Sequence, residues 1–208
     1  MAIPFQLDKT ITNIEWHRSC GSKTMGMMVA ALCAVLRATS AIEIGIANGF
    51  TTQCLAYGMC AYAKLPVLVS CDINPQCCQI SRDATRDLPI KHQVVCADSN
   101  EVDWALLLNR EGRTTIDIAV IDGEHTGKTP YHDITAVAKL LAPNGCIFVH
   151  DCAPGMPDVL EAVMRFRRES GWQMLFLPEH PGVGDYAAAI IQKPNEGNWG
   201  IKTNEVQI

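Results

Sequence analysis

Apolar residues along this chain fall into two alternating patterns, short unbroken runs and longer runs with helical spacing. The short runs, bounded by Gly, Pro, Asn or Asp, predict strands opening at Ala41 and spanning 66–72, 92–98, 116–122 and 146–151, the first two of them buried. Between them the spacing predicts helices over 25–37, 51–63, 76–87, 100–109 and 157–170, with another starting at Thr129-Pro130 and placing Ile134, Val137, Leu140 and Leu141 on one face. Asn74-Pro75 reads as a cap followed by an N1 proline, a helix start. Two further strand-like runs, 172–177 and 186–192, have only a Pro/Gly loop between them and predict a closing hairpin. Strands alternating with helices imply an α/β fold. Its sheet is doubly wound and mostly parallel, with helices on both faces and an antiparallel C-terminal hairpin. A single domain is expected over 1–208, with a helical lead-in over 1–39, a core over 40–192 and a tail over 193–208.

Composition narrows the partners. With 208 residues the chain has enough length to bury one proper core. A net charge of −5 and a pI near 5.6 argue against a nucleic-acid partner, which needs a basic face. The cluster Arg165, Arg167 and Arg168 reads as a solvated helix face. No charged leader precedes an apolar core near Met1, and the apolar stretch 25–36 is too short for a bilayer, so a cytoplasmic protein without membrane contact is expected. That helix serves either the core or a subunit interface, which leaves a homo-oligomer open. The ten cysteines mostly sit inside apolar runs and form no C-x-x-C pair, as expected of reduced thiols acting as small core residues.

Candidate chemistry gathers at the ends of the strands. The first strand breaks at Glu43-Ile44-Gly45-Ile46-Ala47-Asn48-Gly49 and runs into a helix from Thr51. Strand, glycine turn and helix together form the usual cofactor pocket of open α/β sheets. Ala47 stands where a dinucleotide fingerprint has its second glycine, and no phosphate loop G-x-x-x-x-G-K-[ST] is present, so the turn suits an adenosyl ligand without phosphates. Glu43, Asp72, Asp98, Asp122 and Asp151 each lie at or near the end of a predicted strand, where such sheets bind ligands. Five acids along one edge need cationic or hydrogen-bonding groups among them.

The motif Glu43-x-Gly45-x-x-x-Gly49, with acids closing the following strands, resembles class I S-adenosylmethionine (SAM)-dependent methyltransferases of Rossmann-like fold over roughly residues 40–192. The resemblance implies that Glu43, Gly45, Ala47, Asn48, Gly49 and Thr51 border the amino-acid end of SAM. It further implies that Asp72 takes the ribose hydroxyls, that Asp98 with Ser99 lies near the adenine, and that Ile73 and Asp122 also bind the cofactor. Ile121-Asp122-Gly123-Glu124-His125 and His150-Asp151 are similar to small-molecule O-methyltransferases of the catechol and sugar type. By that likeness Asp122, His150 and Asp151 hold Mg²⁺ or another divalent metal, and His125 or Glu124 is the base. His150 stands where those families place an acid, which favours ions that accept nitrogen. The expected activity is methylation of a hydroxyl on a small-molecule acceptor. The alternatives are metal-independent N- or C-methylation and a non-catalytic SAM-binding module; a nicotinamide oxidoreductase is disfavoured by Ala47 and the closing hairpin.

Overall fold

A computed structural model describes residues 23–177 and 187–195. Residues 1–22 of the lead-in and the loop 178–185 lie outside the described residues. In chain order the elements are α1 (Lys23–Leu36), β1 (Ser40–Ile44), α2 (Phe50–Cys60), β2 (Val67–Asp72), α3 (Pro75–Thr85), β3 (Lys91–Cys96), α4 (Trp104–Arg110), β4 (Ile116–Ile121), α5 (Thr129–Ala138), β5 (Leu141–His150), α6 (Pro157–Ser170), β6 (Gln173–Leu177) and β7 (Ala188–Gln192). They build one seven-stranded sheet in the order β3-β2-β1-β4-β5-β7-β6. The first five strands pair in parallel, and β7 runs antiparallel between β5 and β6. The closing hairpin is therefore present, with its second strand inserted against β5.

Alternating side chains explain why the central strands are apolar on both faces. Ile42, Ile44 and Val69 pack with Trp104 of α4, Ile134 of α5 and Val163 of α6 on one side. Ala41, Leu68, Ile118 and Val120 pack with Val29 of α1 and with Phe50, Leu55 and Met59 of α2 on the other. Among the described residues no helix is long and apolar enough to cross a membrane. The nine cysteines among the described residues are all free thiols.

Two elements differ from the sequence pattern for local reasons. The helix expected over 100–109 is split into a 3-10 turn at Ser99–Glu101 and α4 from Trp104. Each piece has its own aspartate cap: Asp98 accepts from Asn100 N at 2.9 Å, and Asp103 accepts from Leu106 N at 2.9 Å. Strand β5 starts at Leu141, not after the Pro-Asn-Gly turn, because Leu141 pairs with Ile116 across a register shift. Leu141 is thus buried on the sheet, beyond the end of α5.

Candidate active site

The C-terminal ends of β1 to β4 enclose a cavity of about 450 Å³. Of the residues singled out in the sequence, Gly45, Ala47, Asp72, Ile73, Asp98, Ser99, Asp122 and Glu124 line it. Their neighbours Ile44, Cys71, Ala97, Gly123 and Thr129 also line it; apolar or small, they carry no chemical signal in the sequence beyond adjacency to the strand-end acids. Glu43, Asn48, Gly49 and Thr51 are not on the wall. Glu43 and Thr51 are buried behind it, and Gly49, at φ 75°, caps α2.

The turn after β1 is held by the strand beside it. Asp72 Oδ2 accepts from Ile46 N at 2.8 Å and Ala47 N at 3.2 Å, while its Oδ1 accepts from Asn74 N at 2.8 Å. Oδ2 thereby uses both of its lone pairs, and Oδ1 keeps one for a ligand. Gly45, at φ 86°, is indispensable to the geometry: a β-carbon there would lie 2.0 Å from the Asp122 carbonyl oxygen. Asp98 is committed to the following turn through Asn100 N and Nδ2, both at 2.9 Å.

At the ends of β4 and β5 two carboxylates and two imidazoles meet. Nδ1 of the buried His150 lies 2.9 Å from Asp122 Oδ1 and 3.4 Å from Asp151 Oδ2. His125 Nε2 faces the same two oxygens at 3.6 and 3.3 Å. Successive residues of a strand point to opposite faces, yet His150 and Asp151 both reach the cluster, because Asp151 takes φ 53° and leaves the strand direction. Burial alone would raise the Asp122 pKa, but the His125 and His150 imidazoles beside it outweigh that and hold it below the ordinary value. His125 is pushed up, first by Asp122 and then by Asp151, against its partial burial. For His150, burial lowers the pKa, and the two carboxylates overturn that and raise it to about 10.

The donor set fits a divalent cation. Ligand atoms of Asp122, His125 and Asp151 all lie within 4.8 Å of one another. His125 Nε2 is buried and makes no aligned hydrogen bond, so it faces the two carboxylates as a ligand would. His125 joins Asp122 and Asp151 in this set, while the expected His150 keeps Nδ1 against Asp122 at 2.9 Å. Glu124 is exposed and turned into its own loop, where Oε1 accepts from Thr126 N at 3.0 Å and Thr126 Oγ1 at 2.8 Å. These bonds hold its carboxyl below the ordinary value.

A parallel sheet whose last antiparallel strand inserts beside β5, with its ligand cavity at the strand ends, defines the class I methyltransferase architecture. The chain belongs to the methyltransferase domain family, which matches residues 42–152. No curated protein sequence matches it. Among solved structures it resembles an O-methyltransferase from Bacillus cereus in complex with SAH, at 16% identity, TM-score 0.67, with 90% of this chain and 89% of that chain covered. It also resembles the O-methyltransferase TomG from Streptomyces achromogenes in complex with SAM, at 15% identity, TM-score 0.65 and coverage of 90% and 89%. The N-methyltransferase NodS from Bradyrhizobium japonicum, in complex with S-adenosyl-L-homocysteine (SAH), is similar at 15% identity and TM-score 0.61, with 91% and 97% covered. These likenesses describe the fold, which carries more than one acceptor chemistry.

Proposed function

We propose that this protein transfers the methyl group of SAM to a hydroxyl of a small molecule, with a divalent cation held by Asp122, His125 and Asp151. The observation that carries the reading is the convergence of those three ligating groups, with Asp122 lining the cavity as well. An amine nucleophile needs only to be neutral, whereas a hydroxyl must lose a proton, so a cluster of this kind serves oxygen better than nitrogen. When bound, the cation supplies Lewis acidity that lowers the pKa of the acceptor hydroxyl. One nitrogen and two carboxylate oxygens suit manganese or iron better than magnesium.

The protein's own share is alignment. The turn from Gly45 to Gly49 receives the amino-acid end of SAM, Asp72 takes the ribose hydroxyls, and Asp98 with Ser99 borders the adenine. Holding sulfonium and hydroxyl in line supplies much of the rate of such a displacement. His150 Nδ1 fixes the orientation of Asp122. The carboxylates around the cavity also favour the positive sulfonium of SAM over neutral SAH.

Calorimetric titration with SAH, with and without Mn²⁺ or Mg²⁺, tests this. Affinity in the ~micromolar range is expected, together with Mn²⁺ binding that Asp151→Asn removes. Absence of SAH binding under every condition would reduce the site to a fold resemblance. A second reading follows from the raised His125 pKa: transfer without a metal, with His125 as the base and its proton shared with Asp122 and Asp151. A methylation rate unaffected by EDTA would select it.

A further inference from the structure

Behind the turn, hydrogen-bonding groups of five elements close into a ring. Thr52 Oγ1 of α2 donates to Glu43 of β1, at 3.0 Å from Oε1 and 2.8 Å from Oε2. Ser70 Oγ of β2 donates to Glu43 Oε2 at 2.6 Å. His92 of β3 lies 2.9 Å from Ser70 Oγ through Nε2 and 2.7 Å from Thr85 Oγ1 of α3 through Nδ1. Thr85 Oγ1 also reaches Ser81 O at 3.2 Å, and Ser81 Oγ closes the ring on Thr52 at 3.3 Å. Apart from the half-buried His92, all these side chains are buried.

Two arrangements run the hydrogen bonds in one direction from Glu43 through Ser70 to His92. With Glu43 ionised, Thr52 and Ser70 donate to it, His92 Nε2–H donates to Ser70, and Thr85 donates to the bare Nδ1. With Glu43 protonated, its O–H donates to Ser70, Ser70 donates to Nε2, Nδ1–H donates to Thr85, and Thr85 donates to Ser81 O. Every group is satisfied in both. They differ by one proton on Glu43 and by the tautomer of His92. A proton taken up at the Thr85–His92 end arrives on Glu43 by one transfer per bond, with no heavy atom moved.

We propose that Ser70 and His92 are positioning residues of the cofactor turn, forming a proton relay that ends on Glu43 and sets which way its hydrogen bonds run. Glu43 precedes Gly45 and Thr52 follows Gly49, so the Glu43–Thr52 bonds clamp the two ends of the turn. The proposal rests on the reading that this turn holds SAM. The charged and titratable groups facing the relay are Asp122 of β4, Asp72 of β2 and Cys54 of α2 around Glu43, and Arg82 of α3 beside His92. Burial pushes Glu43 up to about 8, with Ser70 and Thr52 opposing the rise and Asp122 and Asp72 adding to it. Burial and Arg82 push His92 down to about 4, so it stays neutral while Glu43 titrates.

The test is long-range ¹H–¹⁵N correlation on histidine-labelled full-length protein from about pH 6 to about pH 9.5, with the His92 signal assigned by its loss in His92→Gln. His92 is expected as the Nδ1–H tautomer at the lower end and as Nε2–H at the upper end. In Glu43→Gln the amide donates to Ser70 as the acid does, so Nδ1–H should persist throughout. Ser70→Ala should abolish the switch and weaken SAH binding roughly fivefold, the scale of one lost hydrogen bond, with Ser70→Thr restoring both. A single wild-type tautomer across the range, or a switch that survives Ser70→Ala, overturns the relay. A lost switch with unchanged SAH affinity overturns the positioning role. Wild-type protein that fails to bind SAH but still switches would remove the cofactor reading and leave the relay standing.

Discussion

Among single residues Asp133 is the most exposed to test. It is 2% accessible, and its Oδ2 has no hydrogen-bond partner. Burial pushes its pKa from 3.8 up to about 6, with the Ser99 hydroxyl opposing the rise. Below pH 3.8 the carboxyl is protonated folded or unfolded. Between 3.8 and about 6 the folded protein keeps a proton that the unfolded chain has released, so stability falls as pH rises through that window and stays lower above it. The loss at neutral pH is about 3 kcal/mol. Asp133→Asn is therefore expected to raise Tm by roughly 9 °C at neutral pH, with the gain shrinking as the pH is lowered toward 4. Thermal unfolding by circular dichroism across that range checks it, and an equal gain at every pH would show that the carboxyl does not titrate there. The residue scale is also where the sequence says least about the candidate site. His150 and Asp151 are adjacent in a strand pattern, and alternation would send them to opposite faces; the left-handed φ of Asp151 that reunites them leaves no mark in residue types. Likewise nothing in Asp122-Gly123-Glu124-His125 tells which side chain turns inward. The structure turns His125 toward the cluster and Glu124 toward Thr126.

At the scale of elements, β1, β2 and β4 were legible because both their faces are buried, which writes them as apolar runs. The turn after β1 was legible because its glycines are required by the backbone. Gly45→Ala would place a methyl 2.0 Å from the Asp122 carbonyl at φ 86° and is expected to cost roughly 3 kcal/mol or more. Gly112→Ala has a comparable φ of 71° with nothing within 4 Å, and should cost only about 1 kcal/mol. Urea midpoints for the two variants measure the difference, and equal losses would mean that backbone conformation alone, without the close approach, fixes Gly45. What pattern could not supply was the choice among competing local signals. Both Asp98 and Asp103 can cap a helix, and only the packing of Trp104, Leu107 and Leu108 decides that the helix starts at the second. The position of β7 between β5 and β6 is a matter of edge pairing, and period-two alternation is silent about which neighbour a strand takes.

Across the whole molecule, one sheet edge carries two sets of groups that meet at a single residue. The ends of β1 and β2 bring the turn and Asp72, and the ends of β4 and β5 bring Asp122 and Asp151. Asp122 N donates to Ile44 O at 2.8 Å, which stitches the halves together through backbone and leaves the two carboxylate groups free to act separately. Substitutions on opposite halves should then behave as independent sites. At a hundredfold excess over Kd a ligand that binds only the folded state stabilises it by about 2.7 kcal/mol, a Tm rise of roughly 8 °C for a chain of this length. Wild type should show such a rise with SAH and a separate one with Mn²⁺. Asp72→Asn should lose the SAH response and keep the Mn²⁺ response; Asp151→Asn should do the reverse. Loss of both responses in either variant would mean that the cofactor half and the cation half fold as one unit, so that the acids at the edge cannot be assigned separate ligands.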